Sequence, residues 1–299
     1  MSVARAPKIL VTGAAGQLGC ELVVALRELG DVVAATRATL DVSDAQSVTS
    51  ALGSIRPDII VNAAAFTAVD RAESERAQAF AVNARGPGLL ADAAKRSGAL
   101  LVHYSTDYVF DGAASTPYAE SAPVAPLSVY GESKLQGERR IADSGASAIV
   151  FRTSWVYALH HANFLTTIRR LATQRDELRI VDDQVGVPNW SRALASATSR
   201  VLHLGREALA ARAGLYHLSC VGETTWFRFA QAFLRDLPRV RMVPITTAEY
   251  PTPARRPRYG VLDTAKFVRT FGFALPDWHD ALDACLGGAD GTAVKAPVG

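Results

Sequence analysis

The stretch KILVTGAAGQLG, Lys8 to Gly19, decides the fold. Lys8 to Thr12 is a short apolar run closed by glycine and predicts a buried strand. Leu18, Leu22, Ala25, Leu26 and Leu29 then recur at helical spacing and predict a helix over 18–29. Between them the glycines fall as GxxGxxG, shifted by one from the GxGxxG dinucleotide fingerprint. Glycine lets the backbone turn sharply and approach a diphosphate, and the helix that follows offers free N–H groups and the positive end of its dipole. Gly13, Gly16, Gln17 and Leu18 are therefore candidate cofactor contacts. A tight turn without a ligand would use the same glycines, but a strand before and a helix after favour a cofactor.

Working outward, strand and helix alternate. Apolar runs at 32–35, 58–62, 100–104 and 148–151 predict strands. Helical spacing is found over 44–55, with Ser43 as its cap, over 74–97 with a bend near Gly86-Pro87, and over 127–143. Such alternation means parallel strands joined by helical crossovers. The fold class is α/β: a doubly wound, Rossmann-like parallel sheet, followed by a smaller mixed α/β lobe. We expect a dinucleotide-binding domain over 1–155, with segments near 176–188 and 214–236 returning to it. The lobe over 156–286 would mostly bind substrate, and 287–299 would be a disordered tail.

The second strand ends Ala35-Thr36-Arg37. An acidic residue there would suit a ribose 2′-hydroxyl and an arginine a 2′-phosphate, so Arg37 points to NADPH, with NADH as the alternative. Asp41 and Val42 follow at the adenine end. A solvated surface arginine is the competing reading of Arg37.

Lysine is scarce: five lysines stand against 27 arginines. One of them, Lys134, falls four residues after Tyr130, so the two share a face if the segment is helical. An unperturbed tyrosine, with a pKa of about 10, is a poor acid at neutral pH. A nearby ammonium favours the phenolate and lowers that pKa, making tyrosine a usable proton donor. Thr106 ends the fourth strand, where ligands of such sheets bind, and offers a hydroxyl to the same carbonyl oxygen. Thr106, Tyr130 and Lys134 are the candidate catalytic set for carbonyl reduction, with Tyr130 and Lys134 also reaching the cofactor.

With 299 residues, 49% hydrophobic and 20% charged, the composition is that of a globular chain. A net charge of +3 is too small to argue for nucleic acid, and no apolar run is long enough to span a membrane. Cys20, Cys220 and Cys285 have neither metal nor disulfide spacing, which suits a reducing cytoplasm. His103, inside an apolar strand, reads as a satisfied core histidine.

From about Lys8 to Leu286 the chain resembles the extended short-chain dehydrogenase/reductase superfamily and, within it, the dTDP-4-dehydrorhamnose reductase family. The resemblance rests on GAAGQLG, NAAAFTAVDRAE (62–73), STDYVFDG (105–112), YGESKLQGE (130–138), RTSWVY (152–157), Asn163-Phe164 and DQVGVP (183–188). It implies that Ala63, Ala64, Ala65 and Thr67 lie along the cofactor. It also implies that Thr106, Asp107, Val109, Phe110, Tyr130, Trp155 and Asn163 meet the substrate, with Trp155 packed on the sugar. Trp155 as plain core is the bland alternative, and Asp107 as turn chemistry another. Arg255, Arg256 and Arg258 suit either a diphosphate or a solvated basic loop.

The chain departs from the family pattern at Asn189-Trp190 and at Tyr259-Gly260. Some members hold magnesium with acidic residues at a dimer interface. The full acidic set is not found here and Arg192 occupies one such place, so no metal is expected.

The resemblance implies NADPH-dependent reduction of dTDP-4-dehydro-L-rhamnose to dTDP-L-rhamnose by a monomer or homodimer. Competing readings are another nucleotide-4-keto-sugar reductase or epimerase, and a non-catalytic NADP-binding regulatory subunit.

Overall fold

The structure is a computed structural model and describes residues 5–235 and 240–288. Six parallel strands form the main sheet: β1 (Lys8–Thr12), β2 (Asp31–Ala35), β3 (Ile59–Asn62), β4 (Leu100–Thr106), β5 (Ala148–Thr153) and β10 (Gly214–His217). Their spatial order is β10-β5-β4-β3-β1-β2. The chain order reverses at β1, so the crevice opens beyond the carboxyl ends of β1 and β3.

Alternate residues of each strand serve opposite faces. Ile9, Val11, Ile59, Val61, Leu100 and Val102 enter one buried cluster, and Leu10, Ile60 and Leu101 enter another. Covering both faces is why the strands read as unbroken apolar runs. Helices α2 (Ala45–Ile55), α5 (Gly86–Ser97) and α6 (Val129–Ser144) pack along one face, and α1 (Gln17–Ala25) meets α8 (Ser191–Leu202) on the other.

Several boundaries differ from expectation. Helix α1 stops at Ala25, and Arg27 N–H bonds the Val24 carbonyl as the chain tightens toward Gly30. Asp44, not Ser43, caps α2 by accepting from Gln46 N–H, while Ser43 bonds Asp41. The long helix expected over 74–97 is four pieces: α3 (Val69–Ser74), α4 (Arg76–Phe80), a π-turn at Ala81–Arg85, and α5. The π-turn aims Asn83 at the loop after β3, where its amide pairs with both the N–H and the carbonyl of Phe66.

The second half adds three two-stranded ribbons: β6 (Val156–Tyr157) with β9 (Asn189–Trp190), β7 (Glu177–Val181) with β12 (Arg241–Ile245), and β8 (Val185–Gly186) with β11 (Thr224–Thr225). Residues 214–217 join the main sheet, whereas 177–181 pair with 241–245 instead. The reason lies in β7 itself: Leu178 and Ile180 are buried but Glu177 and Arg179 are exposed, so only one face can be covered. Its buried face enters the same core cluster as Ile9 and Val11. The remaining helices are α7 (Phe164–Ala172), α9 (Arg206–Ala210), α10 (Trp226–Leu234), α11 (Ala265–Phe271) and α12 (Trp278–Leu286). The expected tail lies outside the described residues except for Gly287 and Gly288. Among the described residues no helix is long and apolar enough to cross a membrane.

Candidate active site

At Gly13 the chain takes φ +67°, and a Cβ there would sit 2.6 Å from Ala64 N. Only glycine allows the β1 turn and the β3 loop to approach this closely. A cleft of about 540 Å³ opens beside them. Gly13, Gly16, Arg37, Asp41, Val42, Ala63, Ala64 and Ala65 all line it. Thr36, Phe66, Arg71 and Gln78 line it too, and sequence reasoning missed them. Thr36 is signalled by its place at the end of β2, and Phe66 and Arg71 by their place within NAAAFTAVDRAE.

Five of the expected cofactor residues, Gln17, Leu18, Thr67, Tyr130 and Lys134, are not among those lining the cleft. Leu18 packs against the core, Thr67 is exposed, and the Gln17 amide donates to the Val156 carbonyl. Arg37, largely exposed at the cleft rim, lies 3.5 Å from Asp41. Asp41 is held below its usual range by the Ser43 hydroxyl and backbone, with Arg37 adding to the effect.

Helix α6 starts at the cap Ser128, whose hydroxyl accepts from Gly131 N–H. A Cβ on Gly131 would lie 2.2 Å from the Tyr108 carbonyl, so glycine lets α6 press on the turn after β4. That contact sets the Tyr108 and Tyr130 rings edge to face at 5.5 Å. It also brings Tyr130 to Thr106 and Asp107.

Asp107 is buried, with its carboxylate 3.1 Å from the Thr106 hydroxyl. Burial pushes Asp107 up to about 7, against the pull of Thr106 and nearby backbone N–H groups. Burial likewise pushes Tyr130 up to about 12; the Thr106 hydroxyl opposes the shift and the Asp107 carboxylate adds to it. Desolvation is the largest influence on Tyr130, while the Lys134 ammonium is anchored on the Tyr104 carbonyl.

Lys134 lies one turn deeper in α6. Its Nζ donates to the Tyr104 carbonyl at 2.5 Å and lies 3.4 Å from His103 Nε2. The Asn62 oxygen accepts from both Thr12 Oγ1 and Ala64 N–H, so its NH₂ faces His103 Nδ1 at 2.9 Å. That places the His103 proton on Nε2, toward Lys134. Burial holds His103 well below its usual range, with the Lys134 charge adding to this. Lys134 itself is pushed down to about 8 by burial, with Glu138 opposing. Glu138 in turn binds Arg152 bidentately, at 2.9 and 2.6 Å, and accepts from Ser105 Oγ. The corner is a buried polar chain spanning the ends of β1, β3, β4 and β5.

The residues expected to meet substrate divide. Thr106, Asp107 and Tyr130 come together. Val109 and Phe110 are fully buried in a satellite core with Tyr118, Leu135 and Leu262, Phe110 stacking on Tyr118 at 4.2 Å. Their buried side chains anchor the loop that carries Thr106 and Asp107. Asn163 caps α7: its oxygen accepts from Thr166 N–H, and its NH₂ donates to Gln17 and the Ala158 carbonyl. Trp155 is half-buried, has φ +37°, lies against Gly186 and stacks on Trp226 at 3.6 Å.

Arg256 forms a two-point pair with Asp70 in the first turn of α3, while Arg255 and Arg258 are exposed. Of the two departures from the family pattern, Asn189 is fully buried. Its NH₂ donates to Ser154 and Val187 carbonyls, and its oxygen accepts from Cys220 N–H. It is a core residue. Tyr259 is half-buried and its hydroxyl donates to Glu223.

Comparison with known proteins matches residues 7–290 to the family described as the RmlD substrate binding domain. The chain is 46% identical over 291 residues to a dTDP-4-dehydrorhamnose reductase of Burkholderia thailandensis, covering 93% of this chain and 98% of that protein. A dTDP-4-dehydrorhamnose reductase crystal structure from Clostridium acetobutylicum superposes with TM-score 0.89 at 36% identity, over 94% of this chain and 98% of the other. A Bacillus anthracis dTDP-4-dehydrorhamnose reductase in complex with NADP gives TM-score 0.89 at 34% identity, over 95% and 99%.

Proposed function

The chain belongs to the RmlD substrate binding domain family, and we propose that it reduces the 4-keto group of dTDP-4-dehydro-L-rhamnose to give dTDP-L-rhamnose, with NADPH as reductant. The observation that carries this reading is the meeting of Thr106, Asp107 and Tyr130 at the strand ends beside the glycine-turn cleft.

The cleft fits a dinucleotide: Gly13 leaves no room for a Cβ, Ala63 to Ala65 form a wall of small side chains, and Arg37 stands at the rim. Gly13, Gly16 and Ala63 to Ala65 would hold the cofactor, with Arg37 reaching a 2′-phosphate. The bound nicotinamide supplies hydride to the carbonyl carbon. Tyr130 supplies the proton to its oxygen, and Thr106 hydrogen-bonds that oxygen as its negative charge develops. Lys134, anchored on the Tyr104 carbonyl, would orient the cofactor ribose. Residues 1–155 carry the cofactor in this reading, and most of 156–286 the sugar nucleotide. Three free cysteines suit an enzyme of the reducing cytoplasm.

The test is consumption of NADPH, with NADH in parallel, on dTDP-4-dehydro-L-rhamnose, and product identification by NMR. Formation of dTDP-L-rhamnose with NADPH preferred is the expected result. Binding of NADPH without consumption would overturn the proposal and redirect attention to Tyr259 and Glu223.

A further inference from the structure

The loop between β6 and α7 carries His160 and His161 to Cys20, near the start of α1 and next to the glycine turn. Cys20 Sγ lies 3.8 Å from His160 Nε2 and 4.0 Å from His160 Nδ1. His160 Nδ1 lies 2.6 Å from His161 Nδ1, and ligand atoms of all three residues fall within 4.8 Å of one another.

The outer ring nitrogens already have partners. His160 Nε2 is 2.9 Å from Glu21 Oε1, and the other oxygen of that carboxylate takes Arg192 Nε at 3.0 Å. His161 Nε2 is 2.9 Å from the Ala15 carbonyl. An ionised carboxylate and a carbonyl only accept, so each ring carries its proton on Nε2. With those protons outward, the two Nδ1 atoms face each other across 2.6 Å, an arrangement that a cation bound between them would relieve. The backbone is bent to make this meeting: His161 has φ +62°, a conformation uncommon outside glycine.

We propose that Cys20 Sγ, His160 Nδ1 and His161 Nδ1 form a binding site for a divalent cation of borderline softness, of the Zn²⁺ class. A tetrahedral zinc takes nitrogen at about 2.0–2.1 Å and sulfur at about 2.3 Å, which puts its ligands roughly 3.3–3.5 Å apart. Opening the two imidazoles from 2.6 Å and drawing the thiol in from 4.0 Å of His160 Nδ1 reaches that arrangement. Glu21 and the Ala15 carbonyl are the outer acceptors that metal-bound histidines use to fix tautomer and orientation. Three protein ligands leave a fourth position for water, and the bound thiol releases its proton to solvent. Cysteine spacing could not reveal the site, because its ligands are about 140 residues apart in sequence.

The test uses the tag-free full-length protein, titrated with Zn²⁺ and with Co²⁺. One equivalent of Co²⁺ should give tetrahedral visible bands and a thiolate-to-cobalt charge-transfer band, and Zn²⁺ should displace it and raise Tm. Cys20→Ser should abolish the charge-transfer band. His160→Ala and His161→Ala should each weaken Zn²⁺ binding at least about tenfold. His203→Ala, at the far end of α8, should match wild type, and melts in EDTA should show every variant folded. Absence of the charge-transfer band in wild type would overturn the site. So would unchanged affinity in folded Cys20→Ser and His160→Ala, or an equal loss in His203→Ala, and the cation between the two imidazoles would then be a shared proton.

Discussion

The corner around Tyr130 and the corner around Trp155 are built in opposite ways. At Tyr130, polar groups are buried and their protonation is displaced: Asp107 and Tyr130 upward, Lys134 downward. At Trp155, side chains satisfy one another. Trp155 stacks on Trp226, whose indole N–H donates to Gln184, and the Gln184 amide donates to Thr247. Asp183 accepts from Thr247 N–H, and Asn163 closes its own capping box. Perturbed groups gather where chemistry is done, and satisfied ones where a surface must hold its shape. In the proposed function the first corner is the reactive one and the second a positioning one.

Tyr130→Phe tests that contrast most severely. Turnover should fall by about 10²–10⁴-fold with NADPH binding nearly unchanged. Steady-state rates beside a cofactor titration give the answer, and surviving turnover would remove Tyr130 from its role.

Next in size is Arg152→Met, which strands Glu138 beneath Lys134. Only 3% of the Arg152 side chain and 9% of the Glu138 side chain are exposed, so the loss should be about 3–5 kcal/mol in denaturant melts. Replacing both partners with apolar residues should restore most of it, because no unpaired charge then remains. If the single variant melts like wild type, the polar chain under the site is dispensable.

Asp107→Asn gives a pH signature. The folded chain holds the Asp107 proton up to about 7, against 3.8 ordinarily, so it binds that proton more tightly than the unfolded chain does. Asp107 therefore costs nothing below about pH 4, and its cost grows as pH rises to about 7. The variant should gain on wild type across that window, by a few kcal/mol at most at about 1.4 kcal/mol per pH unit, and the gap should be flat above it. Thermal melts across pH measure this; a constant gap would mean that Asp107 is ionised throughout.

Smallest is Asn163→Ala. Loss of the cap should cost about 1 kcal/mol, with the KM for sugar nucleotide nearly unchanged. A large rise in KM would place Asn163 on the substrate and break the contrast between the corners.

The sheet and the glycine turn were legible because they are local: apolar runs, helical spacing and glycine position are all read within one βα unit. Tyr130 and Lys134 were legible as neighbours on one helix for the same reason. Their electrostatics were not. Tyr130 responds to burial and to Thr106 and Asp107, and Lys134 to its burial and to Glu138. The burial of Val109 and Phe110 was not legible either, because a motif fixes which residues recur, whereas tertiary packing fixes which of them face outward. The π-turn that aims Asn83 at Phe66 left no mark in the periodicity.

By itself, then, the sequence determined a doubly wound sheet, a cofactor turn with Arg37 at its rim, and the family to which the chain belongs. Those follow from short-range patterns in the order of the residues. The tertiary structure alone decided that 177–181 pairs outside the main sheet, that Asn163 caps α7 and Asn189 is buried, and that Cys20 meets His160 and His161. Each depends on residues far apart in the chain, whose meeting is set by which faces can be covered and which polar groups must find partners.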